Sequence, residues 1–284
     1  MADWKLCAFA DEAAADLEDQ LAVLGRQGIG HLELRNAWGT NVIDLDAGQL
    51  RRARTLLGEA GIDVPVVGSP VGKADIADPA DAEMERLGRA LDAAGELGAG
   101  MVRIFSFYVQ GDYEGSRPEV LERLARMAEE ARRRGVVLVL ENEAYLYGDV
   151  PERCREIVET VASPSLGVAF DPANYVLANV DPVDRAWPLL APHVRHVHIK
   201  DALPHEPGDA AVYPRPVATE VIMGRIRPAG EGRARLAEVL ERLEGQGYDG
   251  LLTIEPHLAT YLGGTPEERF GVAVDAVRRL IAGG

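Results

Sequence analysis

Eight short apolar runs alternate with amphipathic stretches along the whole chain, and this alternation limits the fold more than any other feature. The runs cover residues 5–10, 31–34, 64–68, 101–107, 136–140, 166–170, 194–199 and 250–254. Most are near-continuous Val, Ile, Leu and Phe, as expected of parallel strands that are covered on both faces. The stretches between them repeat apolar residues at helical spacing, so we predict alternating strands and helices.

The number of units favours a closed barrel over an open sheet. Eight strand–helix units in 284 residues give a repeat of about 36 residues, which is close to that of a (β/α)8 barrel. An open doubly wound sheet that binds a dinucleotide needs a glycine fingerprint after its first strand. The fingerprint-like set Gly245, Gly247 and Gly250 instead follows a helix and precedes a strand, so it indicates a turn. We therefore predict an α/β fold, a single TIM-barrel domain over residues 1–284.

Charge and cysteine content limit the partners. Lys and Arg number 30 against 46 Asp and Glu, which gives a formal net charge of −16. Such a surface repels phosphate backbones and anionic membranes, so we expect no nucleic-acid or membrane partner. The start of the chain lacks the features of a secretory signal, and we expect a cytoplasmic location. Cys7 and Cys154, the latter in a helix-like run, are too few for a disulfide framework and are expected to be free thiols.

Polar side chains gather where the predicted strands end, which in a barrel is the face that carries the chemistry. Glu141, Asp171, His198 and Glu255 each follow, or lie within, one of four consecutive strands. Three carboxylates that converge without a cation would repel one another and raise one another's pKa. One divalent cation resolves this conflict, and three oxygen ligands with one imidazole favour Mn²⁺ or Mg²⁺, with Co²⁺ or Zn²⁺ as alternatives. For any one carboxylate alone, a helix cap or a solvated loop end remains the alternative.

One connection, residues 202–230 after the predicted seventh strand, is unusually long. It holds five prolines and three arginines. Long loops in compact domains usually form lids or interface arms. We expect one of these two roles, and an interface arm would imply a homo-oligomer. The arginines either hold an anionic group or pair with the acidic surface of the protein itself.

Several short motifs, in the same order as in a known family, carry a resemblance that spans nearly the whole chain. They are HLELR at 31–35, GSPVGK at 68–73, LEN at 140–142, FDPAN at 170–174, HVHIKD at 196–201, GEG at 230–232 and TIEP at 253–256. The chain resembles the xylose isomerase-like TIM-barrel superfamily, the sugar phosphate isomerase/epimerase group. The resemblance implies that Glu141, Asp171, His198 and Glu255 bind one divalent ion. It also implies that Glu141 and Glu255 move a proton.

The chain departs from its relatives at two positions near the expected substrate. Many relatives have a histidine where this chain has Asn174, and a second expected histidine is replaced by Glu143. An amide donates a hydrogen bond but does not titrate, so the identity of the substrate and its phosphorylation stay open. The expected substrate contacts are polar residues near the strand ends, namely Glu33, Lys73, Arg103, Asn174, Lys200 and Glu231. For Glu33, Arg103 and Lys200, an ion pair in the barrel core is the alternative.

Together these features predict a divalent-metal-dependent isomerase or epimerase of a small sugar or polyol ketone. Glu141 and Glu255 would act as base and acid around an enediolate intermediate. A metal-dependent dehydratase of a cyclic polyol ketone would use the same ligands. A DNA repair endonuclease of the same fold needs more metals and more than the six histidines present, and the acidic charge opposes it. A sugar-binding barrel without activity is the last alternative, but it would be expected to have lost at least one ligand.

Overall fold

Eight parallel strands close into a barrel in the computed structural model, which describes residues 4–205 and 219–283. Each strand pairs with the next along the chain, and the last pairs with the first. The strands are β1 Lys5–Ala8, β2 His31–Leu34, β3 Asp63–Val67, β4 Met101–Ile104, β5 Val137–Glu141, β6 Leu166–Phe170, β7 Val194–Ile199 and β8 Leu251–Ile254. The predicted TIM barrel is confirmed.

Helices surround this barrel and connect its strands. They are α1 Leu17–Arg26, α2 Ala47–Ala60, α3 Ala80–Leu97, α4 Tyr113–Arg134, α5 Pro151–Val161, α6 Pro172–Leu177, α7 Trp187–Leu190, α8 Thr219–Arg225, α9 Leu236–Gly245 and α10 Pro266–Ile281. Two small antiparallel strand pairs in the described part of the chain lie outside the barrel. One joins Asn36–Ala37 with Thr40–Asn41, and the other joins Asp201–Ala202 with Ile226–Arg227. No helix in the described part of the chain is long and apolar enough to cross a membrane.

Two predicted strands were too long, and the excess residues matter for the site. The runs predicted at 5–10 and 101–107 pair only as far as Ala8 and Ile104. The apolar residues beyond them, Phe9, Phe105 and Phe107, are fully buried although they leave the sheet. An apolar run therefore predicts burial, and here it does not predict where the ladder of backbone hydrogen bonds ends.

Helix ends follow the local sequence signals with one shift. Thr265 forms a capping box with Glu268 at the start of α10. The pair Asp78-Pro79 does not cap α3 as its sequence suggests, because Pro79 itself is the capping residue and the helix begins at Ala80. Cys7 in β1 and Cys154 in α5 are both buried free thiols.

One carboxylate, that of Asp201, holds together the two ends of the long connection predicted at 202–230. Residues 206–218 of that connection lie outside the described residues. On either side of them, Asp201–Ala202 pairs with Ile226–Arg227. Asp201 accepts backbone hydrogen bonds of 2.9–3.0 Å from Ala202, Gly230, Gly232 and Ala234. The two ends of the connection are therefore held together beside β7.

Candidate metal centre and cavity

The four predicted ligands come together at the carboxyl end of the barrel. Glu141 is the last residue of β5, Asp171 follows β6, His198 lies in β7 and Glu255 follows β8. All four side chains are buried. One ligand atom from each lies within 4.8 Å of the others. Because four neighbouring strands end at the same rim, ligands far apart in sequence form one cluster that could hold a metal ion.

The chemistry of this cluster fits a divalent cation. Glu141 Oε2, Asp171 Oδ2 and His198 Nδ1 are buried and make no hydrogen bond of good geometry with the described residues, although Arg103 lies 3.3 Å from the first and Lys200 2.9 Å from the second. Buried polar atoms are nearly always satisfied, so three such atoms in one cluster require an explanation. Carboxylate oxygens and an imidazole nitrogen are ligands for Mg²⁺, Mn²⁺ and Zn²⁺, and one ion of this kind would satisfy all three atoms.

Glu33 fixes the orientation of the His198 ring. His198 Nε2 lies 3.3 Å from Glu33 Oε2, and His196 Nε2 lies 2.8 Å from the same oxygen. Burial alone would raise the pKa of Glu33, but His198 and His196 outweigh it and lower that pKa far below its usual range. Glu33 accepts the Nε2 proton of His198, so Nδ1 is the ring nitrogen that faces Glu141 Oε1, at 3.5 Å, and the ligand cluster.

Lys200 places a positive charge inside the cluster. Its Nζ lies 2.9 Å from Asp171 Oδ2 and 2.7 Å from Glu255 Oε2. Burial raises the pKa of Asp171 to about 6, with Lys200 opposing that rise and Glu141 adding to it. The ammonium group thus offsets part of the repulsion among the three carboxylates.

The two glutamates have different surroundings. Glu255 Oε1 lies 3.0 Å from His257 Nε2 and 3.5 Å from the Arg35 guanidinium. Glu141 Oε1 instead accepts a 2.9 Å hydrogen bond from Asn174 Nδ2, and Arg103 lies 3.3 Å from its other oxygen.

Both carboxyl groups are nevertheless held ionised. Burial alone would raise both pKa values, but Lys200 and His257 lower that of Glu255, and His198 and Arg103 lower that of Glu141. Both are therefore carboxylates at neutral pH.

A cavity of about 710 Å³ opens above the cluster. It is lined by Glu141 and Glu255 and by four of the predicted substrate contacts, Lys73, Arg103, Asn174 and Lys200. These side chains lie close enough together to contact one small molecule. The structure therefore brings most of the predicted polar set to a single cavity.

Two predicted substrate contacts do not line this cavity. Glu33 is fully buried and engaged by the two histidines of β7. Glu231 is exposed, in the turn whose glycines donate to Asp201. The two glycines of that motif donate to the Asp201 carboxylate, which holds the turn with Glu231 outside the lining of the cavity.

Among the lining residues left out of the predicted site, two contact Glu255. Arg35 and His257 both line the cavity and both contact Glu255. Each lies two residues beyond a buried glutamate, Glu33 or Glu255, and alternation along an extended chain places such pairs on one side. That spacing was the available signal.

Comparisons with known proteins agree with this architecture. A search of curated proteins by sequence found no significant match. The fold is similar to that of an IOLI protein with a bound zinc atom, with a TM-score of 0.78, 17% identity and 98% of each chain covered. It is also similar to the probable 3-DHS dehydratase AsbF from Bacillus anthracis, with a TM-score of 0.74, 17% identity, and 98% of this chain and 99% of that chain covered.

A D-tagatose 3-epimerase-like protein gives a TM-score of 0.72 and 18% identity, covering 98% of this chain and 99% of that chain. At these identities the likeness shows the fold alone. A sequence model of the family described as xylose isomerase-like TIM barrel matches residues 21–280, which is most of the sequence. The chain therefore belongs to the xylose isomerase-like TIM barrel family.

Proposed function

We propose that the protein is a divalent-metal-dependent isomerase or epimerase of a small sugar or polyol ketone, acting through an enediolate. The observation that carries the proposal is the pair Glu141 and Glu255. Both are buried carboxylates at the edge of one cavity, and both contribute to the same cluster of ligand atoms. Epimerisation next to a carbonyl removes a proton from one face of the carbon and returns one to the other face, so it needs a base on one side and a proton donor on the other. Glu141 can act as the base, and Glu255 can pass on a proton from Lys200 or His257, which lie 2.7 Å and 3.0 Å from it.

The residues around the cluster have complementary parts in this chemistry. A divalent cation held by Glu141, Asp171, His198 and Glu255 would supply Lewis acidity to a carbonyl oxygen and its neighbouring hydroxyl. Glu141 and Glu255 come from strands separated by β6 and β7, so a carbon held between them presents a different face to each.

Three neighbouring side chains support these two glutamates. Asn174 orients Glu141 by its 2.9 Å hydrogen bond. Arg103 and Lys200 line the cavity beside Glu141 and Glu255, so both can also place positive charge near a substrate oxygen on which negative charge develops during proton removal.

Of the two roles considered for the connection at residues 202–230, a lid or an interface arm, the position of its residues favours the lid. Ile222, Met223 and Ile226, which belong to residues 202–230, line the cavity. Closure over an active site excludes water from reactive intermediates, and we infer that this connection contributes to it. The cytoplasmic location and a homo-oligomeric state stay predictions.

Conservative substitutions separate proton transfer from metal binding. Glu141→Gln and Glu255→Gln each keep an oxygen ligand but remove the proton acceptor, so kcat should fall by about 10²–10⁴-fold with metal at saturation. Asp171→Asn removes no proton acceptor, so added metal should restore much of its activity. Turnover on a panel of ketoses in deuterated water, with exchange at the α-carbon followed by NMR, is the measurement.

The outcome against this mechanism is equally specific. If all three variants recover equally with added metal, the glutamates act as ligands only. Wild-type turnover without any exchange of the α-proton would support a hydride shift in place of an enediolate.

A dehydratase is the second candidate, and the position of Lys200 is the observation that favours it. Its ammonium lies 2.7 Å from Glu255 Oε2, so an acid stands beside a base, as the loss of a hydroxyl group requires. One similar structure is named as a dehydratase. Mass spectrometry of the product distinguishes the two reactions, because only dehydration lowers the mass of the substrate by one water.

A further inference from the structure

The lining of the cavity has a polar part and an apolar part. Arg35, Lys73 and Arg103 reach it from the carboxyl ends of β2, β3 and β4. The connections after β6 and β7 supply the polar residues Asn174 and Lys200 and also four apolar side chains, Leu177, Ile222, Met223 and Ile226. These four residues form the apolar part of the lining, and Met223 also lines a neighbouring recess together with Arg35 and His257.

Positive charge in the cavity is already matched by carboxylates. Within residues 4–205 and 219–283, each cationic side chain of the lining contacts at least one carboxylate, and Lys73 Nζ, for example, lies 2.6 Å from Glu143. The five cationic groups are Arg35, Lys73, Arg103, Lys200 and His257, and the carboxylates they contact are Asp11, Glu12, Glu141, Glu143, Asp171 and Glu255.

The lining is therefore poorly suited to a phosphate. A phosphate group carries close to two negative charges at neutral pH. Bound at Lys73, for instance, it would lie next to the Glu143 carboxylate and be repelled by it.

The size of the cavity also matters. Its volume of about 710 Å³ lies within the range of pockets that hold drug-sized ligands, which are much larger than a single free sugar. A small keto-polyol near the metal cluster leaves the apolar part of the lining to water. Covering that part with an apolar group of the substrate is favourable because it removes apolar surface from water.

We propose that the substrate is an uncharged, unphosphorylated keto-polyol that carries an apolar substituent, alkyl or aryl, remote from its carbonyl. The polyol end contacts the metal cluster and the polar side chains from β2 to β4. The substituent lies against Leu177, Ile222, Met223 and Ile226. This inference rests on the proposed function for the position of the carbonyl, and it adds the substrate class.

Three ligands with the same ketose head test the proposal. They are D-fructose with a methyl ether, a benzyl ether or a phosphate at C6, titrated calorimetrically into the Mn²⁺-saturated protein. The benzyl ether should bind about tenfold more tightly than the methyl ether, because its ring is buried. The phosphate should bind at least about tenfold more weakly than the methyl ether. Equal affinities, no measurable binding of the benzyl ether, or tighter binding of the phosphate would overturn it.

Two variants test the two halves of the argument separately. Met223→Ser should reduce the preference for benzyl over methyl, measured as the ratio of the two affinities. The control Val272→Ser removes an exposed apolar side chain outside the cavity and should change neither affinity.

The second variant, Glu143→Gln, frees Lys73 from its partner and should strengthen binding of the phosphate. Its control, Glu267→Gln, breaks an exposed ion pair with Arg26 and should have no such effect. An unchanged phosphate affinity in Glu143→Gln would contradict the charge argument.

These measurements can contradict the proposed substrate class without contradicting the proposed function, and the reverse. Affinity is measured at equilibrium and does not require turnover. Turnover with α-proton exchange but no preference among the three ligands contradicts the substrate class alone. A clear preference with no proton exchange on any ketose contradicts the isomerase or epimerase activity alone.

Discussion

Glu33 acts on the cavity without lining it. Its Oε2 lies 3.3 Å from His198 Nε2, so it determines which ring nitrogen of His198 faces the cluster. The other histidine that contacts Glu33, His196, also contacts Thr253, whose Oγ1 lies 3.0 Å from His196 Nε2. A carboxylate that accepts the proton on one ring nitrogen of a metal-binding histidine fixes the orientation of the ring and makes the other nitrogen a stronger ligand. We therefore infer that Glu33, which was predicted to contact substrate, acts as a positioning residue.

At the residue scale, Glu33→Gln should weaken divalent-metal affinity by about 10–100-fold. The amide keeps the size of the side chain but removes the negative charge that holds the Nε2 proton. Titration of Mn²⁺ into metal-free protein measures the effect without substrate.

Glu83→Gln is the matched control for this change. Glu83 is another buried glutamate, and its Oε2 accepts a 2.7 Å hydrogen bond from the backbone of Gly72. Its loss should lower stability and leave metal affinity unchanged. Equal metal affinity in wild type and Glu33→Gln would show that Glu33 does not position the ligand.

The four clustered side chains could be identified from the sequence, but the contact between Glu33 and His198 could not. Glu141, Asp171 and Glu255 each stand at the end of an apolar run, and such a polar residue is visible in sequence. Glu33 and His198 are 165 positions apart and meet across the barrel interior. That contact depends on the closure and register of the whole barrel, which no local pattern contains.

At the scale of elements, α1 and α10 offer a matched test of helix capping. Thr265 accepts a hydrogen bond from the backbone of Glu268, whereas Asp16 at the start of α1 makes no such bond. Thr265→Ala should lower the free energy of unfolding by about 0.5–2 kcal/mol. Asp16→Ala should cost less, and denaturant unfolding of both variants measures the difference. A larger loss in Asp16→Ala would contradict the capping assignment.

The turn that holds Asp201 is equally testable. A Cβ added to Gly232 would lie 2.6 Å from the backbone oxygen of Ala202, which is closer than real side chains approach. Gly232→Ala should therefore destabilise the protein by about 1–3 kcal/mol. At Gly263, where no atom lies within 4 Å of an added Cβ, the same change should cost much less. Equal unfolding midpoints in the two variants would contradict this close approach.

Element boundaries mark where prediction from sequence stopped. The order of strands and helices followed from the spacing of apolar residues, and the barrel followed from their number. The ends of β1 and β4 could not be predicted in this way, because Phe9 and Phe105 continue the apolar pattern after the strand pairing has ended. Phe9 and Phe105 lie beside the Arg103 guanidinium, at 5.0 Å from ring centre to Arg103 in both cases.

At the scale of the whole molecule, the clustered carboxylates should couple metal binding to folding. A cation that binds only the folded protein stabilises it by about 2.7 kcal/mol at a concentration one hundred times its Kd. Mn²⁺ should therefore raise the midpoint of thermal unfolding by several degrees, and a chelator should reverse the rise.

A variant with both Glu141→Gln and Asp171→Asn should lose most of this response. Glu267→Gln, far from the cluster, should retain it. An unfolding midpoint that does not respond to Mn²⁺, Mg²⁺, Co²⁺ or Zn²⁺ in the wild type would contradict the metal site.

The strand pair beside β7 separates the geometry of the barrel from that of its longest connection. Residues 201–202 and 226–227 pair with each other, and Asp201 holds the returning backbone at Gly230 and Gly232. The two ends of the connection are therefore fixed at a short distance, whatever its length or composition. Such a graft point allows one connection to be exchanged for another without disturbing strand register. A lineage built on this barrel could thus acquire new substrates by replacing a single segment while its reaction chemistry stayed unchanged.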